Sequence, residues 1–193
     1  MNTKAVNCDV LVVGAGMVGA AAACLLARAG YSVAVVEGRE PAPFDTNAPV
    51  GLRVSAFSPG AASVLAETGA WKPVLNSRHC HYRLMHVEDR DESAALEFQA
   101  PEYGLENLGT IVENDLVQWS LWQAMSMTAG IEVHCPAALS ALDFIDGLPR
   151  ATLENGERIT ARLLVGADGA ESAVRKSIGI GRDHWEYGQA GVV

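Results

Sequence analysis

The chain has 193 residues, enough for one full domain or one domain with part of another, and its 49% hydrophobic content excludes a disordered polypeptide. A formal net charge of −9, with 14 scattered basic residues, argues against a nucleic-acid surface, which needs clustered Lys and Arg. The cysteines Cys8, Cys24, Cys80 and Cys135 lie far apart with no CxxC pair, which suits reduced thiols in a cytoplasm better than a disulfide framework.

Taken in order, Cys8–Glu37 reads as strand, glycine turn, helix and strand. The apolar run Val10-Leu11-Val12-Val13 feeds into Gly14-Ala15-Gly16-Met17-Val18-Gly19, then an alanine-rich segment, then Tyr31–Val36 ending on Glu37. In such a unit Gly14 permits the tight turn, Gly16 lets backbone approach a pyrophosphate, and Gly19 lets helix and strand pack closely. The phosphates would meet the free N–H groups of the helix N-terminus, and Glu37 would accept hydrogen bonds from a ribose 2′-OH while repelling a 2′-phosphate. The competing reading, glycines that serve packing alone, does not account for the acid at this distance. The uncharged run Val10–Ala27 raises a membrane span, but turn glycines inside it and Asp9 and Arg28 at its ends point to a buried strand and helix. Asp9 also argues against a signal peptide.

Beyond Glu37, Pro41, Pro43 and Pro49 mark a long irregular connection that delivers Arg53-Val54-Ser55-Ala56-Phe57. Arg53 is expected either to pair with an acid or to contact a cofactor's phosphates or sugar, with the second favoured. Ser58-Pro59-Gly60 should start a helix that stops at Gly69. Residues 76–106 change character: alternation through Tyr82–Val87 and Leu96–Phe98, around the charged turn Glu88–Glu92, predicts inserted antiparallel strands. His79 and His81 could share a strand face and grip a metal, but no further ligands follow at a recognisable spacing, so ordinary strand residues and no metal site are expected.

Asn114 can cap a helix over Asp115–Ala129, with Leu116, Trp119, Trp122 and Met125 as its apolar face. Ile131–Cys135 reads as a further parallel strand, with His134 and Cys135 structural. Three strands on tight turns follow, near Leu139–Ile145, Arg150–Leu153 and Arg158–Val165; Asp146-Gly147 and especially Asn155-Gly156 supply the positive φ that hairpins need. The last strand runs into Gly166-Ala167-Asp168-Gly169-Ala170-Glu171-Ser172-Ala173-Val174-Arg175, a second strand-to-helix turn with an acid at its apex.

The two glycine motifs with Glu37, together with Arg53–Ala56 and Val112-Glu113-Asn114, occur in an order that resembles the single-component flavoprotein aromatic hydroxylases of the para-hydroxybenzoate-hydroxylase type. More narrowly, the chain is similar to the ubiquinone-biosynthesis hydroxylases among them. The resemblance implies an α/β fold: a Rossmann-like FAD-binding domain with a parallel sheet and β-meander crossover, plus part of an antiparallel substrate-domain sheet. It divides the chain into a first FAD-binding segment (1–75), part of a substrate sheet (76–106), a second FAD-binding segment (107–183) and the start of a substrate-domain strand (184–193). Gly14, Gly16 and Gly19 would face the FAD pyrophosphate and Glu37 the adenosine ribose; Arg53 and Ser55 would lie along the cofactor, Glu113 near the ribityl chain, and Asp168 with Gly169 at the turn shared by FAD and NAD(P)H.

By the same resemblance the reaction would be NAD(P)H- and O2-dependent hydroxylation of a small, polyprenylated aromatic substrate in the cytoplasm, with peripheral membrane or biosynthetic-complex association. A third family motif, a Gly-Asp pair, has no match after Arg175, so the chain is expected to be an N-terminal portion. An FAD-dependent oxidase or dehydrogenase and a non-catalytic flavin-binding subunit stay open as alternatives. No residue is singled out as a catalytic acid or base.

Overall fold

A computed structural model describes residues 7–88 and 95–190. In chain order the elements are β1 (Cys8–Val13), α1 (Met17–Arg28), β2 (Val33–Val36), β3 (Val54–Phe57), α2 (Pro59–Thr68) and α3 (Trp71–Leu75). Then follow β4 (Cys80–Tyr82), β5 (Leu84–Glu88), β6 (Ala95–Gln99), β7 (Gly109–Glu113) and α4 (Asn114–Met127). The chain closes with β8 (Ile131–His134), β9 (Leu139–Ile145), β10 (Leu148–Leu153), β11 (Arg158–Gly166) and α5 (Ala173–Ser177). Two compact units divide it: Met1–Pro41 with Trp122–Val193, and Ala42–Leu121.

The first unit is built on a six-stranded sheet in the order β8-β2-β1-β11-β10-β9. β8, β2, β1 and β11 run parallel, and β10 and β9 continue from β11 as the antiparallel meander. β1 and β2 are valine-rich and nearly continuous in apolar residues because both of their faces are buried, the signature of a parallel sheet covered on each side. Leu11, Val13, Ala34 and Val36 join Leu153, Ile159 and Val174 in a core on one face. The alternate residues Val10, Val12, Val33 and Val35 are equally buried, and α1 packs on β1 and β2 through the fully buried Ala20, Ala23 and Cys24. Small side chains on α1 allow that close approach.

The second unit holds a three-stranded antiparallel sheet, β3-β7-β4, and a separate β5–β6 hairpin. The alternation through Tyr82–Val87 is therefore broken at Arg83, where the chain leaves one sheet and enters the other. All of β5 is exposed, since it pairs with β6 alone among the described residues. The turn expected after Glu88 lies outside the described residues. α2 matches its sequence signals: the Ser58 Oγ accepts the Ala61 N–H at 3.2 Å, and Gly69 closes the helix at φ 89°.

Three local expectations need correction. Asn114 is the first residue of α4 rather than a cap outside it, and its Oδ1 accepts the Ser55 hydroxyl at 2.6 Å. The helix stops at Met127, where the Thr128 hydroxyl donates to the Ala124 carbonyl at 2.7 Å, and its buried apolar residues are Leu116, Val117, Leu121, Trp122, Ala124 and Met125, with Trp119 only half-buried. In the meander Asp146 and Gly147 both adopt positive φ, 54° and 79°, whereas at Asn155-Gly156 only Gly156 does, at 85°. The Gly156 N–H bonds Leu153 O at 2.9 Å, so this turn takes three residues and a bulge-type glycine rather than two primed positions.

Candidate cofactor site

In the first unit, Val13, Val36 and Gly166 stand side by side at the carboxyl ends of β1, β2 and β11. Ligands of open parallel sheets settle at such ends. A cleft of about 480 Å³ opens there, lined by Gly14, Gly16, Glu37 and Gly38, by Ala137 and Ala138 from the β8–β9 connection with Leu139 at the start of β9, and by Ala167–Gly169, Glu171 and Ala173. The structure thus brings Gly14, Gly16, Glu37, Asp168 and Gly169 to one place, with Gly19 packed beneath.

The three glycines differ in what forbids a side chain. Gly14 has φ 95°, and a Cβ there would run into the backbone of Ala167 and Asp168, so its glycine is required by the close approach of the two turns. A Cβ on Gly19 would collide with the Gly14 carbonyl oxygen, which fixes how tightly α1 meets the turn. At Gly16 nothing lies within 4 Å of a built Cβ. Its missing side chain leaves open space in the cleft, a cradle that a Cβ would fill. Gly16 is also the N-cap of α1, and no side chain caps that helix. Its first N–H groups are therefore offered toward the cleft.

Glu37, read from sequence as a ribose acceptor, holds the chain's own backbone in this structure. Its Oε2 accepts the Ala15 N–H at 2.6 Å and its Oε1 the Arg39 N–H at 3.1 Å, so the carboxylate ties the glycine turn to the end of β2. Its backbone is pinned as well, by the Glu37 N–H to His134 O at 3.0 Å and the Ala137 N–H to Glu37 O at 2.8 Å. Nearby, Trp122 Nε1 donates to Glu40 Oε1 at 3.1 Å.

Across the cleft, Asp168 Oδ2 accepts the Val174 N–H at 3.1 Å, while Oδ1 is buried with no partner of standard geometry among the described residues. Burial pushes this carboxyl up, but hydrogen bonds from the Ser172 hydroxyl and from backbone N–H groups outweigh it and hold it below the ordinary carboxylate value. The Ser172 Oγ caps α5 by accepting the Arg175 N–H at 3.0 Å. Glu171 on the rim is lowered by hydrogen bonds from Lys176 and then Arg182.

Arg53, Ser55 and Glu113 belong to the second unit. Arg53 is exposed, and no ion pair forms on it among the described residues; its carbonyl accepts the Asn114 N–H at 2.9 Å. Glu113 is 6% exposed and has both oxygens engaged: Arg78 Nε at 2.9 Å on Oε2, and Arg78 Nη2 at 3.1 Å with the Gly51 N–H at 2.8 Å on Oε1. Arg78 escaped the sequence reading because a lone arginine carries no spacing signal, and Ala137–Leu139 escaped because small apolar residues after a strand look like any connection. His79 and His81 are edge-to-face at 4.9 Å, with His81 Nδ1 2.8 Å from Thr110 Oγ1, and no metal-holding cluster occurs among the described residues. No described helix is long and apolar enough to cross a membrane.

Several known proteins are similar to this chain. The 3-demethoxyubiquinol 3-hydroxylase of Escherichia coli K12 is 41% identical over 183 residues, 94% of this chain and 46% of that protein. The human mitochondrial ubiquinone biosynthesis monooxygenase COQ6 is 32% identical over 203 residues, 96% of this chain and 42% of its own length. The chain thus spans a little under half the length of these curated relatives. Among solved structures, Pseudomonas aeruginosa PqsL in complex with 2-aminobenzoylacetate superposes with a TM-score of 0.75 at 23% identity, over 93% of this chain and 48% of that one. The p-nitrophenol 4-monooxygenase PnpA of Pseudomonas putida gives 0.67 at 19% identity over 89% and 42%. The FAD-binding domain pattern matches residues 7–193, and the chain belongs to that family.

Proposed function

We propose that this chain supplies the adenosine-diphosphate half of the FAD site of an aromatic-ring hydroxylase that acts on a polyprenylated phenol or quinol of ubiquinone synthesis. The observation that carries the reading is the cleft at the aligned ends of β1, β2 and β11, where Gly16 leaves a side-chain-sized space beside an uncapped helix N-terminus. The residues fit the group. The N–H groups opening α1 meet the pyrophosphate, Glu37 accepts from the ribose while still holding Ala15, and the unpartnered Asp168 Oδ1 is an acceptor left over for a ligand hydroxyl. Gly169 keeps the second turn open beside it.

When bound, the flavin accepts reducing equivalents from NAD(P)H and activates O2 for transfer to an electron-rich ring. The chain's own part is to bind and orient. The relatives' names supply the substrate class, and a polyprenyl tail in turn favours a peripheral encounter with the bilayer surface. The test is product analysis of the full-length protein with NAD(P)H, O2 and a polyprenyl phenol analogue, beside the flavin content of Gly16→Val. Hydroxylated ring and a flavin-free variant are expected; peroxide without hydroxylated product would favour an oxidase, and unchanged flavin in Gly16→Val would remove the site.

A further inference from the structure

We infer that Glu113 is a positioning residue, the inner half of an Arg78–Glu113 clasp that fixes the Phe44–Gly51 segment and with it the start of β3. Glu113 is buried and its two oxygens are consumed by Arg78 and the Gly51 N–H. Arg78 is the link to the rest. Its Nη1 donates to Thr46 O at 3.2 Å and to Ala48 O, and its guanidinium lies over the Phe44 ring, 5.1 Å from the centroid.

One arginine thereby holds three points of an irregular segment, and its carboxylate partner holds a fourth. The planar fork of Arg suits this, since it presents several donors in fixed directions and stacks on an aromatic face; Lys offers neither. Two residues beyond Gly51 comes Arg53, whose carbonyl is bonded by Asn114, the neighbour of Glu113. Ser55 is tied to the same Asn114. The clasp therefore sets where β3 begins and where Arg53 and Ser55 project. A buried carboxylate that turned to a sugar hydroxyl would exchange a cationic donor for a neutral one and leave the Arg78 guanidinium without its counter-charge. The assignment rests on the proposed cofactor reading only for the consequence at Arg53 and Ser55.

The experiment uses two readouts on Arg78→Met, Arg78→Lys, Glu113→Gln and the Arg78→Met/Glu113→Gln pair in the full-length protein. Hydrogen exchange of residues 44–51, Gly51 above all, is measured without flavin; both neutral single variants should lose at least about tenfold protection, and Arg78→Lys should restore little of it. Flavin dissociation constants should rise by a similar factor in Arg78→Met and Glu113→Gln, with no further rise in the pair, since the two act as a unit. The pair also guards against misfolding, because it removes both buried charges together. Unchanged exchange at Gly51 in either single variant would overturn the clasp. So would a Glu113→Gln effect on flavin much larger than that of Arg78→Met and additive with it, the pattern of direct contact. Failure of the unaltered protein to bind FAD would sink the cofactor reading, while the exchange result would still decide the clasp.

Discussion

The two glycine turns of the first unit begin alike and end differently. Both leave neighbouring parallel strands, after Val13 and after Gly166, and both enter a helix. The turn after β1 opens a 12-residue helix with no side-chain cap, whereas the turn after β11 opens a five-residue helix whose N–H groups are taken by Ser172 and Asp168. One helix start has no side-chain cap, and the other is satisfied from within the chain. The difference lies in the helix starts: an anion needs N–H groups that the chain's own side chains have not capped.

The largest effect should come from the shared seam. Gly19→Ala drives a Cβ into the Gly14 carbonyl, and a loss of about 3 kcal/mol or non-folding is expected by chemical denaturation. Next, Gly16→Val should abolish flavin retention while costing under about 1 kcal/mol in the flavin-free protein, because its Cβ meets open space and only an N-cap preference is lost. If both variants merely unfolded, the contrast between a packing glycine and a ligand glycine would fail.

At the second turn, Ser172→Ala should cost about 1 kcal/mol, the usual size of a lost cap. Asp168 adds a pH signature there. Its folded value is lowered, so its contribution is present above the unfolded carboxylate value of about 3.9 and is lost as pH falls through the folded one. Asp168→Asn should flatten that acid limb in denaturation measured below about pH 4. The smallest effect belongs to Glu37→Gln. The amide oxygen can still accept from Ala15, and the exposed Arg39 N–H that loses its acceptor can turn to water, so stability should change by under about 0.5 kcal/mol, with flavin binding weakened about fivefold as a charged hydrogen bond becomes neutral.

Much of the first unit was legible because its signals are local. Val10–Val13, Gly14–Gly19 and Glu37 specify strand, turn, helix and acid without help from distant residues, and Asp146-Gly147 specifies a hairpin. What was not legible depends on encounters across the sequence. Gly14 reads as a conformational glycine, yet its strictest requirement is set by Ala167. Glu113 is read by resemblance as a polar group near a ribityl chain, yet it is committed to Arg78, 35 positions earlier. Trp119 and Trp122 look equivalent by helical spacing, but Trp122 is 5% exposed and bonded to Glu40 while Trp119 is half-buried.

The placement of β1 has a consequence for synthesis on the ribosome. β1 lies between β2, which follows it closely, and β11, whose Leu163 pairs with Val10. At roughly 5–20 residues per second, β1 waits on the order of ten seconds before its second edge can be covered. During that interval an apolar valine strand presents unpaired N–H and C=O groups, the template that stray strands join. The nascent chain is therefore expected to depend on chaperone shielding, and slowed translation between β2 and β11 should lower the yield of folded protein more than the same delay placed after α5.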